Sequence, residues 1–297
     1  MLIYFKAISR LFQFTILKKY FWTFKLFHAK PSNLTFDNLN SHENYVIVIQ
    51  GPLIKNFTIE TIKFYEKIFP GVKIIFSTWK ISSEDFIKFK SLDIELIQNV
   101  QPSTPGFSNI NLQIVTTSNG IKYSQRFKRK YILKTRSDQR IYNFNSLLYM
   151  TDLLKHFSLI SDVKLVGCSL DNNLSRTFFL SDHLMFGKYN DMLNYWSPDL
   201  DLRDLSNFNN ITDNNQHFHK IGGSYFFVNY IENHLNQSIK ADFGEILAKN
   251  FVIINKSEIN IFWNKYNARE DKYSNNVSIN ERTFLEWFNL FIKFNEK

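Results

Sequence analysis

Between residues 45 and 133, short apolar runs alternate with segments of helical period, and that alternation leaves the chain few folds to choose from. Tyr45 to Ile49 (YVIVI) is a continuous, β-branched run stopped by Gln50-Gly51-Pro52, which reads as a buried strand and a turn. Thr58 to Phe69 follows with Ile62, Tyr65 and Phe69 at helical spacing. Val72 to Phe76 (VKIIF) is a second strand ending in Ser77-Thr78-Trp79, and SSEDFIKFK then opens with serine ahead of acids, an N-cap for a short helix. Asp93 to Ile97 (DIELI) gives a third strand and Lys130 to Leu133 (KYIL) a fourth. Between them Asn109 to Ser124 reads as a helix with Ile110, Ile114 and Ile121 on one face and Gly120 as its weak point. Strands and helices in this order predict an α/β fold, a parallel, doubly wound sheet with right-handed crossovers.

The polar residues of this half collect just past the predicted strand ends. Gln50, Gly51 and Pro52 follow the first strand, Ser77, Thr78 and Trp79 the second, and Asn99 the third; Arg136, Asp138 and Arg140 follow the fourth. In open α/β sheets that rim is where ligands bind. Trp79 is either a plate for a nucleobase or core filler, and Asp138 either a site carboxylate or half of a structural ion pair with arginine. Neither a GxxxxGK[ST] loop nor a GxGxxG fingerprint is present, which removes the common phosphate cradles.

Composition narrows the class further. A chain of 297 residues can bury a sizeable core without crosslinks. Its single cysteine, Cys168, excludes an intramolecular disulfide and a cysteine zinc cluster, and fits a reducing cytoplasm. With 31 phenylalanines and 14 tyrosines, no single aromatic is a functional signal by itself. The net charge of +9 is concentrated at the front: from Met1 to Phe36 there is no Asp or Glu, while Lys6, Arg10, Lys18, Lys19, Lys25 and Lys30 are interleaved with aromatic and aliphatic residues. Too interrupted to span a bilayer and without a signal-peptide pattern, residues 1–40 read as a helix at an anionic membrane surface, with packing against the domain as the alternative. Nucleic acid is not the expected partner, because the charge does not cover a nucleic-acid-binding module.

Residues 41–297 read as one domain, with a nucleotide-binding half at 41–142 and an acceptor-side half at 143–297. In the second half, Asn145 to Phe157 reads as a helix and Val163 to Cys168 as a strand. Ser181-Asp182-His183 interrupts the apolar segment TFFLSDHLMFG, either as a turn between strands or with Asp182 or His183 facing the pocket. Asn190 to Trp196 and Gly223 to Leu235 read as helices, and residues 199 to 222, with His217 and His219, as a polar insertion. The aromatic, amphipathic tail from Phe262 caps the sheet or adds to a membrane face.

The ordered set IVIQGP, FP with IIFSTW, PGFSNINLQIVTTSNGI, YILKTRSDQRI and SDHLMFG resembles the WavE lipopolysaccharide synthesis family of bacteria from about Tyr45 to Trp196. The resemblance implies a GT-A-like, Rossmann-like glycosyltransferase that uses a nucleotide-sugar donor and a glycolipid or oligosaccharide acceptor. It also implies work on lipooligosaccharide or capsule at the cytoplasmic face of the inner membrane. GT-A enzymes bind a divalent metal through an Asp-x-Asp signature at a strand end, and RSDQR stands in that place with a single carboxylate. Asp138 is then the expected ligand of Mn2+ or Mg2+, alone or with Asp182 or His183, while Arg136 or Arg140 neutralises the leaving diphosphate. For an acceptor base, Glu232 is the first expectation and Asp182 the second. A sugar-phosphate transferase on the same rim, or a membrane-associated glycolipid-binding protein without chemistry, are the competing readings.

Overall fold

The alternating runs of the first half become parallel strands that end at one common rim. The computed structural model describes residues 41–203, 222–264 and 280–295. The segment 1–40, His217 and His219, and Lys265 to Asn267 of the tail lie outside these residues. The first half runs β1 (Tyr45–Gln50), α1 (Thr58–Ile68), β2 (Lys73–Trp79), α2 (Ser83–Phe89), β3 (Ile94–Asn99), α3 (Ile110–Ser124) and β4 (Tyr131–Arg136). The second continues with β5 (Gln139–Ile141), α4 (Ser146–Ser158), β6 (Leu165–Cys168), β7 (Met185–Lys188), α5 (Tyr189–Trp196) and α6 (Gly222–His234). It closes with α7 (Phe243–Asn250), β8 (Phe251–Ile254), β9 (Ile261–Trp263) and α8 (Phe284–Asn295).

Seven strands form one sheet in the order β3-β2-β1-β4-β7-β6-β8, and β5 and β9 form a separate pair. β1 to β4 are mutually parallel, as expected, and β6 runs parallel to β8; β7 is antiparallel to both its neighbours. The sheet is therefore mostly parallel and flanked by helices, as expected of the α/β fold.

Every residue of β1 is buried, as a central parallel strand covered on both faces must be. Successive side chains of a strand point to opposite faces, and β1 shows which helix covers each. Gln50 accepts a hydrogen bond from Thr116 of α3 at 3.0 Å, whereas Tyr45 is hydrogen-bonded to Thr151 of α4 at 3.0 Å. The second sheet face is shared with α1, where Tyr65 accepts from the Ile141 backbone N–H at 2.9 Å. Ser82 caps α2 by accepting from the Asp85 N–H at 3.1 Å, as its sequence predicts.

Gly120 is not a weak point of α3 but the residue that lets the helix lie on the sheet. A Cβ there would stand 2.5 Å from Val48 Cγ1 and 3.2 Å from Ser77 Cβ. Replacing it with alanine gains helix propensity but overpacks a full core. Gly120→Ala is expected to lower the unfolding free energy by about 1–3 kcal/mol in urea titration; an unchanged or raised midpoint would show that α3 can lift off the sheet at no cost.

Candidate functional site

Register sets the rim. Gln50 pairs with both Ser77 and Arg136, so β1 and β4 end level, while β2 runs two residues further to Trp79, paired with Asn99. Beyond Gln50 the chain turns through Gly51, whose φ of +120° and whose missing Cβ, 2.8 Å from Ser137 Oγ, both call for glycine. The Gly51 N–H donates to the Ser77 carbonyl, and the Ser137 N–H to the Gln50 carbonyl, which pins this turn between β2 and the end of β4.

A cleft of about 390 Å³ opens over these strand ends. Gln50, Gly51, Pro52 and Trp79 form one side, and Arg136, Ser137 and Asp138 the other. Ser108, Asn109, Leu112, Gln113 and Thr116 close it from α3. The N-terminal turn of a fifteen-residue helix thus faces the cleft, with Asn109 at the cap position in a left-handed conformation and making no side-chain cap bond. That end of a helix carries the positive pole of the backbone dipole and favours an anion.

Beneath the cleft lies a cluster of charges. Asp138 is 6% exposed; its Oδ1 accepts from Arg136 Nε at 3.0 Å, and its Oδ2 accepts from Arg136 Nη2 at 3.1 Å and Trp263 Nε1 at 2.9 Å. Arg136 Nη1 also donates to Asp182 Oδ2 at 3.4 Å. Lys134, fully buried, donates to the Asp182 backbone carbonyl and lies 4.2 Å from the ring centre of Trp196. Burial opposes the charge on Asp138, but the Arg136 guanidinium and the hydrogen bonds from Arg136 and Trp263 outweigh it and hold the carboxyl below its usual range. Asp182 is likewise opposed by burial and held well below the carboxylate range, chiefly by Arg136. Burial pulls the Lys134 amine down to about 7, against the attraction of Asp182.

Of the expected site residues, Gln50, Gly51, Pro52, Trp79, Arg136 and Asp138 meet at the cleft; the others do not. Ser77 and Thr78 are inside β2 and wholly buried, Ser77 on the face that α3 covers at Gly120 and Thr78 on the opposite face, so neither hydroxyl lines the cleft. Asn99 is part of β3, where its Nδ2 donates to Ser77 Oγ at 2.9 Å and the Thr78 carbonyl at 2.8 Å. It locks the strand ends together. Arg140 turns the other way on β5: its Nε donates to Thr61 Oγ1 at 3.0 Å, and it packs over the Phe57 ring at 4.7 Å. Glu232 is exposed near the C-terminal end of α6. The N-terminal Gly222 of that helix lies by Ser108, and Glu232, ten residues or roughly 15 Å further along the helix, is not among the residues that line the cleft. Asp182 is absent from the cleft lining and, ion-paired with its proton affinity depressed, is a poor base.

A divalent cation does not fit the donor set. Among the described residues Asp138 is the one carboxylate lining the cleft, and N–H donors already bind both of its oxygens. His183 is 2% exposed, with Nδ1 against Gln139 Nε2 and its ring edge-on to Trp263 at 4.3 Å, so it belongs to the packing behind Asp138. Among the described residues no group of three His, Cys, Asp or Glu side chains could hold an ion.

Sequence reasoning missed Trp263 and the α3 residues Gln113 and Thr116. Trp263 comes to Asp138 because β9 pairs with β5, Gln139 opposite Trp263, across a separation of 125 residues that no local pattern announces. The PGFSN turn that starts α3 was a visible signal: a glycine, a serine and an asparagine before an amphipathic run mark a helix start near the rim.

A family model described as WavE lipopolysaccharide synthesis matches residues 45–296. No curated protein matches the sequence. Among solved structures, HddC from Yersinia pseudotuberculosis is similar at 12% identity and a TM-score of 0.34, over 55% of this chain and 85% of that one. A cytidylyltransferase from Leptospira borgpetersenii gives 12% and 0.35 over 72% and 76%. The mannosyltransferase PcManGT from Pyrobaculum calidifontis, in complex with GDP-Man and Mn2+, gives 12% and 0.34 over 64% and 52%. The chain belongs to the WavE lipopolysaccharide synthesis family.

The charge cluster makes stability depend on pH in a definite direction. Lys134 has a folded value of about 7 against an ordinary 10.5, so between those limits the unfolded chain holds the extra proton. Raising the pH through that window therefore stabilises the wild type relative to Lys134→Met by about 1.4 kcal/mol per pH unit. Urea unfolding of both proteins at pH 7 and pH 9 checks this; parallel pH profiles would mean that Lys134 keeps its proton when buried.

Proposed function

We propose that this WavE-family enzyme moves a sugar from a nucleotide-sugar donor to a growing lipopolysaccharide, lipooligosaccharide or capsule glycan, with the donor's nucleotide in the cleft over β1, β2 and β4. The observation that carries this is the convergence, on one rim, of an aromatic plate, a glycine turn, a helix N-terminus and a guanidinium. Each suits one part of the donor. Trp79 offers a face for the base, and the Gly51 turn lets the backbone approach closely. The start of α3 and Arg136 meet the diphosphate's charge. In the transfer, the bond from the sugar's anomeric carbon to the phosphate oxygen breaks and its electron pair leaves on the nucleoside diphosphate. The acceptor hydroxyl oxygen bonds that carbon, and its proton passes to water. Arg136 stabilises the charge that grows on the leaving phosphate.

The acceptor's glycolipid nature fits a place on the inner face of the inner membrane, supported by the basic, aromatic sequence of residues 1–40. No helix of the described residues is long and apolar enough to cross a membrane. On this reading, deletion of residues 1–36 releases a folded protein from anionic liposomes in a sedimentation assay; undiminished pelleting would locate membrane affinity elsewhere.

A thermal-shift screen of nucleoside diphosphates and nucleotide sugars tests the donor site directly. At a hundredfold excess over its Kd, the right nucleotide adds about 2.7 kcal/mol, a rise in Tm of about 5 °C. Trp79→Ala is expected to weaken that binding by about 1–3 kcal/mol through lost stacking on the base. A screen with no shift would favour the glycolipid-binding reading. Nucleoside monophosphate released from a diphosphate-linked donor would favour sugar-phosphate transfer.

A further inference from the structure

The next step rests on the donor-site reading. We propose that Arg136, clamped between Asp138 and Asp182, is the cation that meets the donor's diphosphate, and that nucleotide binding needs no divalent metal. Asp138 occupies the place where the strand-end motif predicts a metal ligand, yet its bonds run to an arginine. Two parallel N–H bonds of 3.0 and 3.1 Å form a forked guanidinium–carboxylate pair, and the indole of Trp263 adds a third at 2.9 Å. The Asp138 backbone is gripped as well, its carbonyl accepting from the Asn264 N–H at 2.7 Å. To bind an ion, this buried carboxylate would have to give up donors, leaving an arginine and an indole N–H without it in a water-poor site, which is costly.

Asp138 and Asp182 are thus positioning residues. They fix the plane of a guanidinium that stays charged at any working pH, lines the cleft and is 25% exposed. Its longest bond, 3.4 Å to Asp182, is the one an incoming phosphate oxygen can replace while the Asp138 fork holds the group in place.

Calorimetric titration of UDP, GDP, CDP, ADP, dTDP and CMP into the full-length wild type, in EDTA and again in Mn2+, separates the possibilities. We expect one nucleotide to bind equally in both media, and its affinity to fall at least about tenfold, or about 1.4 kcal/mol, in Arg136→Gln and in Arg136→Lys, which keeps the charge but not the fork. Circular dichroism establishes that the variants fold, and the wild-type comparison stands without them. Binding that requires Mn2+, or that survives intact in folded Arg136 variants, overturns the inference and leaves the donor cleft standing. No binding in either medium overturns the cleft reading and this inference with it.

Discussion

The pairing of Arg136 with Asp138 is the interaction around which the rest of the site is arranged. It lies where β4 ends and the chain turns into β5, and it collects partners from distant parts of the sequence: Trp263 from β9 and Asp182 from the loop before β7. Charged groups buried this far are costly unless each is matched, and here the Arg136 guanidinium is shared by two carboxylates, with the Trp263 indole N–H on Asp138 as well. The cluster therefore joins the parallel half of the sheet to the mixed half. It also explains why a lone carboxylate at the end of an apolar strand follows Arg136; Arg140 on its other side serves the packing against α1.

From that anchor the cleft follows with little further freedom. Ser137 can close on the turn after β1 because Gly51 has no side chain there, and α3 can bring its N-terminal turn over the rim because Gly120 lets it rest on Val48 and Ser77. β2 outruns β1 by two residues and carries Trp79 to the edge. An anion-favouring helix end, a fixed cation and an aromatic face thus reach one cleft from three separate elements. On the proposed function, this set of groups is matched to the donor's nucleotide and its phosphates.

The fold was legible because buried parallel strands write themselves as continuous β-branched runs, and the helices between them as a 3.6-residue period. The same rule misplaced Ser77-Thr78-Trp79: two small polar residues read as a loop, although the close seat of α3 demands a small side chain at Ser77 within the strand. Arg136 and Arg140 were indistinguishable as letters. Strand alternation and the turn at Ser137-Asp138 send one to the cleft and the other to Thr61 and Phe57 on the α1 side. Glu232 was chosen by its distance along the chain, which says nothing about the length of α6 separating it from the rim. Trp263 was beyond reach, since only tertiary pairing brings it to Asp138.

A crystal structure of the full-length chain with its bound nucleoside diphosphate, grown in the presence of Mn2+, tests the central claim most directly. The account predicts the base against Trp79, and the phosphates between the first turn of α3 and the Arg136 guanidinium, with the Arg136–Asp138 fork intact. Phosphates bound elsewhere on the sheet, or bridged to Asp138 by a manganese ion with Arg136 displaced, would contradict it.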